Sequence, residues 1–99
     1  MLNKAILTGR LTAKPELKTT PSGVSVTQFT IAVQRGYKDA DGQYPTDFIN
    51  AVAWRKTAEF AAEYFDKGQL ITAVGSIQTR KYEDKDGNRR TAFEVIADE

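Results

Sequence analysis

Neither cysteine nor histidine occurs anywhere in the 99 residues. Without thiols there is no disulfide framework and no thiolate nucleophile, and without imidazole the commonest general base and a common metal ligand are missing together. No serine-centred elbow and no P-loop is present either, so the common routes to catalysis are closed and the chain reads as a non-enzyme without a cofactor. Apolar runs are short. None approaches the ~20 residues that a membrane span requires, and Met1-Leu2-Asn3-Lys4 does not open as a signal peptide. The lack of cysteine fits a reducing cytoplasm. Net charge is scarce as well: fourteen basic against thirteen acidic residues leave +1, so the molecule as a whole makes no long-range appeal to a polyanion.

What remains is an ordinary soluble composition, 40% hydrophobic and 27% charged, without repeats, low-complexity tracts or linkers. One unit covering residues 1–99 is expected. A chain this short buries only about 60–70% of the surface it exposes unfolded, so association with copies of itself adds useful burial. Its charges are segregated. Residues 78–90 hold five basic groups (Arg80, Lys81, Lys85, Arg89, Arg90) against Glu83, Asp84 and Asp86, whereas residues 57–66 hold Glu59, Glu63 and Asp66 with no basic residue. Such segregation suits one surface that meets phosphate and another that does not. Asp39-Ala40-Asp41-Gly42 and Asp84-Lys85-Asp86-Gly87-Asn88 lack the spacing and closing glutamate of a calcium loop, and they fall where hairpins want Asp-Gly, so no metal site is expected.

Periodicity predicts strands over Asn3 to Leu11, Val24 to Val33, Thr46 to Trp54, Gln69 to Glu83 and Thr91 to Ala97. Ala13 to Gly23 reads as a loop, and Arg35 to Pro45 as a long hairpin tip that Asp41-Gly42 turns. In the second strand Val24 and Val26 have one parity and Phe29, Ile31 and Val33 the other, which predicts a bulge near Thr27-Gln28. Thr57 to Lys67 switches to helical spacing, with Ala58, Phe60, Ala61, Tyr64 and Phe65 as an apolar stripe and Gly68 as the stop. Five strands with one helix between the third and fourth is the connectivity of an all-β, five-stranded Greek-key barrel, the OB-fold, whose second and third strands carry oligonucleotides or oligosaccharides.

Four aromatic positions stand beside fixed positive charge: Tyr37 with Arg35 and Lys38, Phe48 on the following strand, Trp54 with Arg55 and Lys56, and Tyr82 with Arg80 and Lys81. A ring stacks on any nucleobase and a neighbouring cation neutralises the phosphate that comes with it, so the repeated pairing suits a sequence-tolerant grip on unpaired nucleic acid. Tyr37 near a loop tip has little to pack against, and Tyr82 lies in a polar stretch. Trp54 at a strand end suits a platform over a core plug. Phe48, a lone phenylalanine in a strand, fits core and platform equally. Phe29, Phe60, Tyr64, Phe65 and Phe93 sit among aliphatic partners and are expected in the core. Because Phe48 and Trp54 share parity, a regular strand puts both on one face.

The runs Asn3-Lys4-Ala5-Ile6-Leu7-Thr8-Gly9-Arg10-Leu11, Phe29-Thr30-Ile31-Ala32-Val33, Ala58 to Gly68 and Gly75-Ser76-Ile77-Gln78-Thr79-Arg80-Lys81-Tyr82 resemble, in order and over nearly the whole chain, the DNA-binding core of bacterial single-stranded DNA-binding proteins. The resemblance implies base-stacking aromatics at Tyr37, Phe48, Trp54 and Tyr82. It also implies homotetramers wrapped by single-stranded DNA, with first strands pairing between subunits, at work in replication, recombination and repair in the bacterial cytoplasm and nucleoid. Some members of that family carry tryptophan where this chain has Tyr37, Phe48 and Tyr82, so less stacking area per base is expected here. Longer members continue into a flexible linker and an acidic tip that recruits other enzymes; this sequence stops at Asp98-Glu99, and no recruiting function is assigned to it. Two rival uses of such a barrel are a metal-dependent nuclease, which needs clustered carboxylates, and a protein-interaction module of the primosome type, whose marker is a binding face without exposed aromatics.

Overall fold

Alternation becomes sheet at the first strand, β1 (Ala5–Leu11), which buries Ala5, Gly9 and Leu11 and exposes Ile6, Thr8 and Arg10. The computed structural model describes residues 1–97, with the side chains of 90–93 outside that description; Phe93, expected in the core, is among the latter. After β1 come β2 (Lys18–Thr19), β3 (Ser25–Gln34), β4 (Thr46–Trp54), α1 (Arg55–Tyr64), β5 (Leu70–Glu83) and β6 (Arg89–Ala97). The sheet runs β1-β5-β6-β4-β3, and β1 pairs with β3 as well, so the five long strands close into a ring. Among the described residues only β4 and β6 run parallel, Ala51↔Val95 to Ala53↔Ala97. This is the expected OB-fold connectivity, with the helix between the third and fourth long strands. The two-residue β2 on the edge of β3, paired as Lys18↔Val26 and Thr19↔Ser25, lies in what reads as loop.

The bulge expected near Thr27-Gln28 is absent. β3 and β4 pair without interruption from Val26↔Trp54 to Gln34↔Thr46. Thr27 explains the misleading pattern: it is 1% exposed and continues the inward phase of Ile31, with Phe29 and Val33 packed against the same core, so a polar residue occupies an apolar slot. Its hydroxyl has no hydrogen-bond partner among the described residues.

Glycine, not a bulge, lets the strands cross. A Cβ on Gly9 would overlap the Ala32 carbonyl oxygen, where β1 leaves β5 to meet β3 at Arg10↔Ala32 and Leu11↔Ile31. A Cβ on Gly75 would overlap the Ile96 carbonyl and crowd Ala97 Cα, all backbone, so one strand must move to admit it. Gly75→Ala is therefore expected to cost about 1–3 kcal/mol, the usual range for overpacking. Urea unfolding at fixed protein concentration measures this, and an unshifted midpoint would mean that the strands yield freely there.

The core is narrow and alanine-rich: Leu11, Ile31, Ile71 and Val95 among Ala5, Ala51, Ala53, Ala58, Ala73 and Ala97. Helix α1 joins it through Ala58 and Ala61, three apart on one face, which bring it close to β3 and β4. It starts two residues earlier and ends three earlier than the spacing predicts, with Phe65 extended. Phe60 and Tyr64, expected in the core, are more than half exposed. At 100° per residue Phe60 stands ~200° from Ala58, on the far side of the helix. The two rings cover each other, with centroids 4.9 Å apart, and Phe60 meets Phe65 edge-on at 5.6 Å. Phe29 and Phe65 are partly buried against the core, as expected. Gly68, four residues beyond the helix, has φ +82° and donates its N–H to the Leu11 carbonyl at 2.7 Å, docking the turn on the end of β1.

Candidate nucleic-acid interface

Two hairpin tips frame one side of the barrel, and both are shaped by an aspartate. Asp39 Oδ1 accepts the N–H groups of Asp41 and Gln43 at 2.9 and 3.0 Å, and Asp84 Oδ1 accepts those of Asp86 and Asn88 at 3.0 and 2.9 Å. Gly42 and Gly87 supply the positive φ of each turn, +79° in both. In each acidic cluster one aspartate oxygen thus serves to hold the backbone of its own turn.

All four candidate rings reach solvent: Tyr37 is 61% exposed, Phe48 67%, Tyr82 44% and Trp54 42%. Neither Phe48 nor Trp54 serves as a core plug. Phe48 and Tyr82 come together across an open groove of about 630 Å³, lined also by Gln28, Asn50, Arg80 and Glu94. Within it Thr30 Oγ1 donates to Asn50 Oδ1 at 3.1 Å. Trp54 does not join them. Although β4 is regular and the parity is shared, Val52 between them is buried and six residues of strand span ~20 Å. Trp54 lines a separate shallow concavity with Arg55, Lys56, Thr57, Ile96 and Ala97. It stands at a junction without a loop: Trp54 is still extended, and Arg55 takes φ +56°, a left-handed conformation that costs a non-glycine residue about 1–2 kcal/mol.

The cations divide into held and free. Arg35 Nε and Nη2 donate to the two Asp47 carboxylate oxygens, each at 2.9 Å, and its Nη1 donates to the Tyr37 hydroxyl at 3.2 Å. Arg80 Nε donates to Glu94 Oε1 at 2.9 Å, and its guanidinium lies 5.6 Å from the centre of the Tyr82 ring. Lys38 lies 5.7 Å from the centre of the Tyr44 ring. Among the described residues Arg55, Lys56 and Lys81 are exposed and carry no ion pair. Tyr44, nearly half exposed at the same tip as Tyr37, is a further candidate that the sequence reading passes over. The signal was available, since an aromatic beside Pro45 at a loop tip has as little to pack against as Tyr37.

Electrostatics at the first tip have a defined sign. The hydrogen bonds from Arg35, reinforced by its charge, hold the Asp47 carboxyl below the usual carboxylate range against a smaller opposing effect of desolvation. A depressed folded value means that the pair is complete above the ordinary aspartate value of about 3.9 and is lost as pH falls through the lower folded one. No change at this pair is expected between pH 9 and pH 5. A ¹³C titration of the Asp47 carboxyl checks this, and a midpoint at or above the ordinary value would show that Arg35 does not hold it.

A model of the single-strand binding protein family matches residues 2–99. The chain is 52% identical, over all 99 of its residues, to a "Single-stranded DNA-binding protein" of Caldanaerobacter subterraneus subsp. tengcongensis, of which it covers 66%. Over 98 residues, 99% of the chain, it is 51% identical to "Single-stranded DNA-binding protein 1" of Streptococcus pyogenes serotype M18 and covers 75% of that protein. A further 50% identity over 98 residues, again 99% of the chain, relates it to "Single-stranded DNA-binding protein 2" of Staphylococcus aureus strain Mu50, covering 70% of it. The chain thus spans about two thirds to three quarters of the length of these relatives.

Proposed function

The chain belongs to the single-strand binding protein family, and on that footing we propose that it coats single-stranded DNA without strong sequence preference during replication, recombination and repair. Membership makes it a binding protein, not an enzyme. The observation that carries the reading is the groove in which Phe48 and Tyr82 both offer exposed rings, with a further exposed ring, Trp54 beside Arg55 and Lys56, in a separate concavity. Stacking on such rings contributes about 1–3 kcal/mol per base whatever the base, and free cations add a salt-dependent share. Tyr37 and Lys38 extend the same chemistry along the first hairpin. The exposed aromatics argue against a module used only for protein contacts.

The working unit is proposed to be a homotetramer in the cytoplasm, associated with the nucleoid, in which first strands pair between subunits. Ile6 and Leu70 are exposed on the outer side of β1 and β5, where Ile6 pairs with the half-buried Val74, an apolar strip that a second copy would cover. No described helix is long and apolar enough to cross a membrane.

Titration with oligo-dT at low salt, read by the emission of the single tryptophan, tests the proposal. Trp54 emission is expected to fall as bases stack on it. Unchanged emission together with no shift of the oligonucleotide in a native gel would overturn the reading.

A further inference from the structure

The two arginines nearest the hairpin rings are built alike. Asp47 is in register with Val33, and Arg35, two residues farther on, reaches back to it; Glu94 is in register with Gln78, and Arg80, two residues farther on, does the same. Each arginine then touches the ring two residues beyond itself, Tyr37 through its hydroxyl and Tyr82 through its face. We propose that Arg35 and Arg80 are positioning residues, each clamped by a carboxylate of the neighbouring strand and holding its ring ready for a base, and that neither is a primary phosphate contact.

The inference rests on the proposed reading of the site as a single-strand interface. For Arg35 the chemistry follows from donor accounting; Arg80 gives one N–H to Glu94 and is held besides against the Tyr82 ring. A guanidinium has five N–H donors in a planar fork; the bidentate pair and the tyrosine hydroxyl occupy three of those of Arg35, with its charge already balanced by Asp47. A tyrosine on a loop otherwise samples several rotamers, and a ring already fixed does not lose that freedom when a base arrives. The Arg35–Asp47 pair, with both partners nearly half exposed, adds little to stability, so its effect is expected in binding and not in melting; Glu94 is only 16% exposed, and Arg80→Lys keeps a positive partner for it. Phosphate neutralisation then falls to Lys38, Arg55, Lys56 and Lys81, which carry no ion pair among the described residues.

Charge-conserving variants separate the two roles. Arg35→Lys and Arg80→Lys keep the positive charge that a phosphate needs but lose the fork, and each is expected to bind oligo-dT about two- to tenfold more weakly with an unchanged salt slope. Asp47→Asn, which keeps Arg35 and frees its guanidinium, is expected to weaken binding as well. If these arginines are phosphate contacts, the lysine variants bind like wild type, Asp47→Asn binds more tightly, and Arg→Gln variants lower the salt slope by ~0.7 each, and the proposal is overturned. Thermal melts confirm that each variant is folded. Failure of the wild-type protein to bind oligo-dT would instead overturn the proposed function.

Discussion

Trp54→Ala and Tyr82→Ala are each expected to reduce affinity for oligo-dT by about fivefold to a little over a hundredfold, the equivalent of one lost stacking contact. The pattern of coupling is more telling than either value. Phe48 and Tyr82 share one groove, so a base held there can touch both, and the double variant Phe48→Ala with Tyr82→Ala should lose less than the sum of its parts. Trp54 faces a different concavity beyond the buried Val52, so its loss should add to that of Tyr82 within about 0.5 kcal/mol. Salt slopes should stay as in wild type, because no cation is removed. Fluorescence titration with labelled oligonucleotides reads all of these. Alanine at both positions with full affinity retained would remove the stacking mechanism.

A charge on the outer face of β1 is expected to dismantle the assembly. Ile6 is 65% exposed in the single chain and faces outward beside Val74, with Leu70 farther along β5. If a second copy covers this strip, Ile6→Asp buries an unpaired carboxylate, which costs several kcal/mol and weakens association by a hundredfold or more. Light scattering should then show a monomer at micromolar concentration where the parent protein is oligomeric. The barrel should still form, since Ile6 contributes nothing to its core. A parent chain that is monomeric at every concentration would refute the proposed assembly. Oligo-dT binding by Ile6→Asp should persist more weakly, with fewer nucleotides occluded per bound protein mass.

Strand positions were legible wherever one face meets the core and the other meets water. The expected range of β4, Thr46 to Trp54, is the observed one, because Asp41-Gly42 and the strand's own alternation mark both limits. The reading failed where identity and environment part company. Thr27 is polar yet buried, which turned a continuous strand into an apparent slip. Phe60 and Tyr64 are aromatic yet exposed, because two small alanines suffice to seat α1 and larger side chains would hold it off the sheet. Of the basic residues in the candidate set, adjacency to an aromatic ring identified the neighbourhood but not the role. Arg35 and Arg80 are engaged by carboxylates twelve and fourteen residues away in sequence, a relation that no local pattern carries.

From sequence alone came the absence of the usual catalytic groups, the order of strands and helix, the turn positions and the association of aromatic rings with positive charge. Each depends on residue chemistry or on spacing within a few positions. Tertiary structure decided which rings share a groove, which cations remain unpaired and which apolar strip is left uncovered. Those outcomes depend on the register between strands and on how the barrel closes at Gly9 and Gly75, where backbone approaches backbone too closely for any side chain.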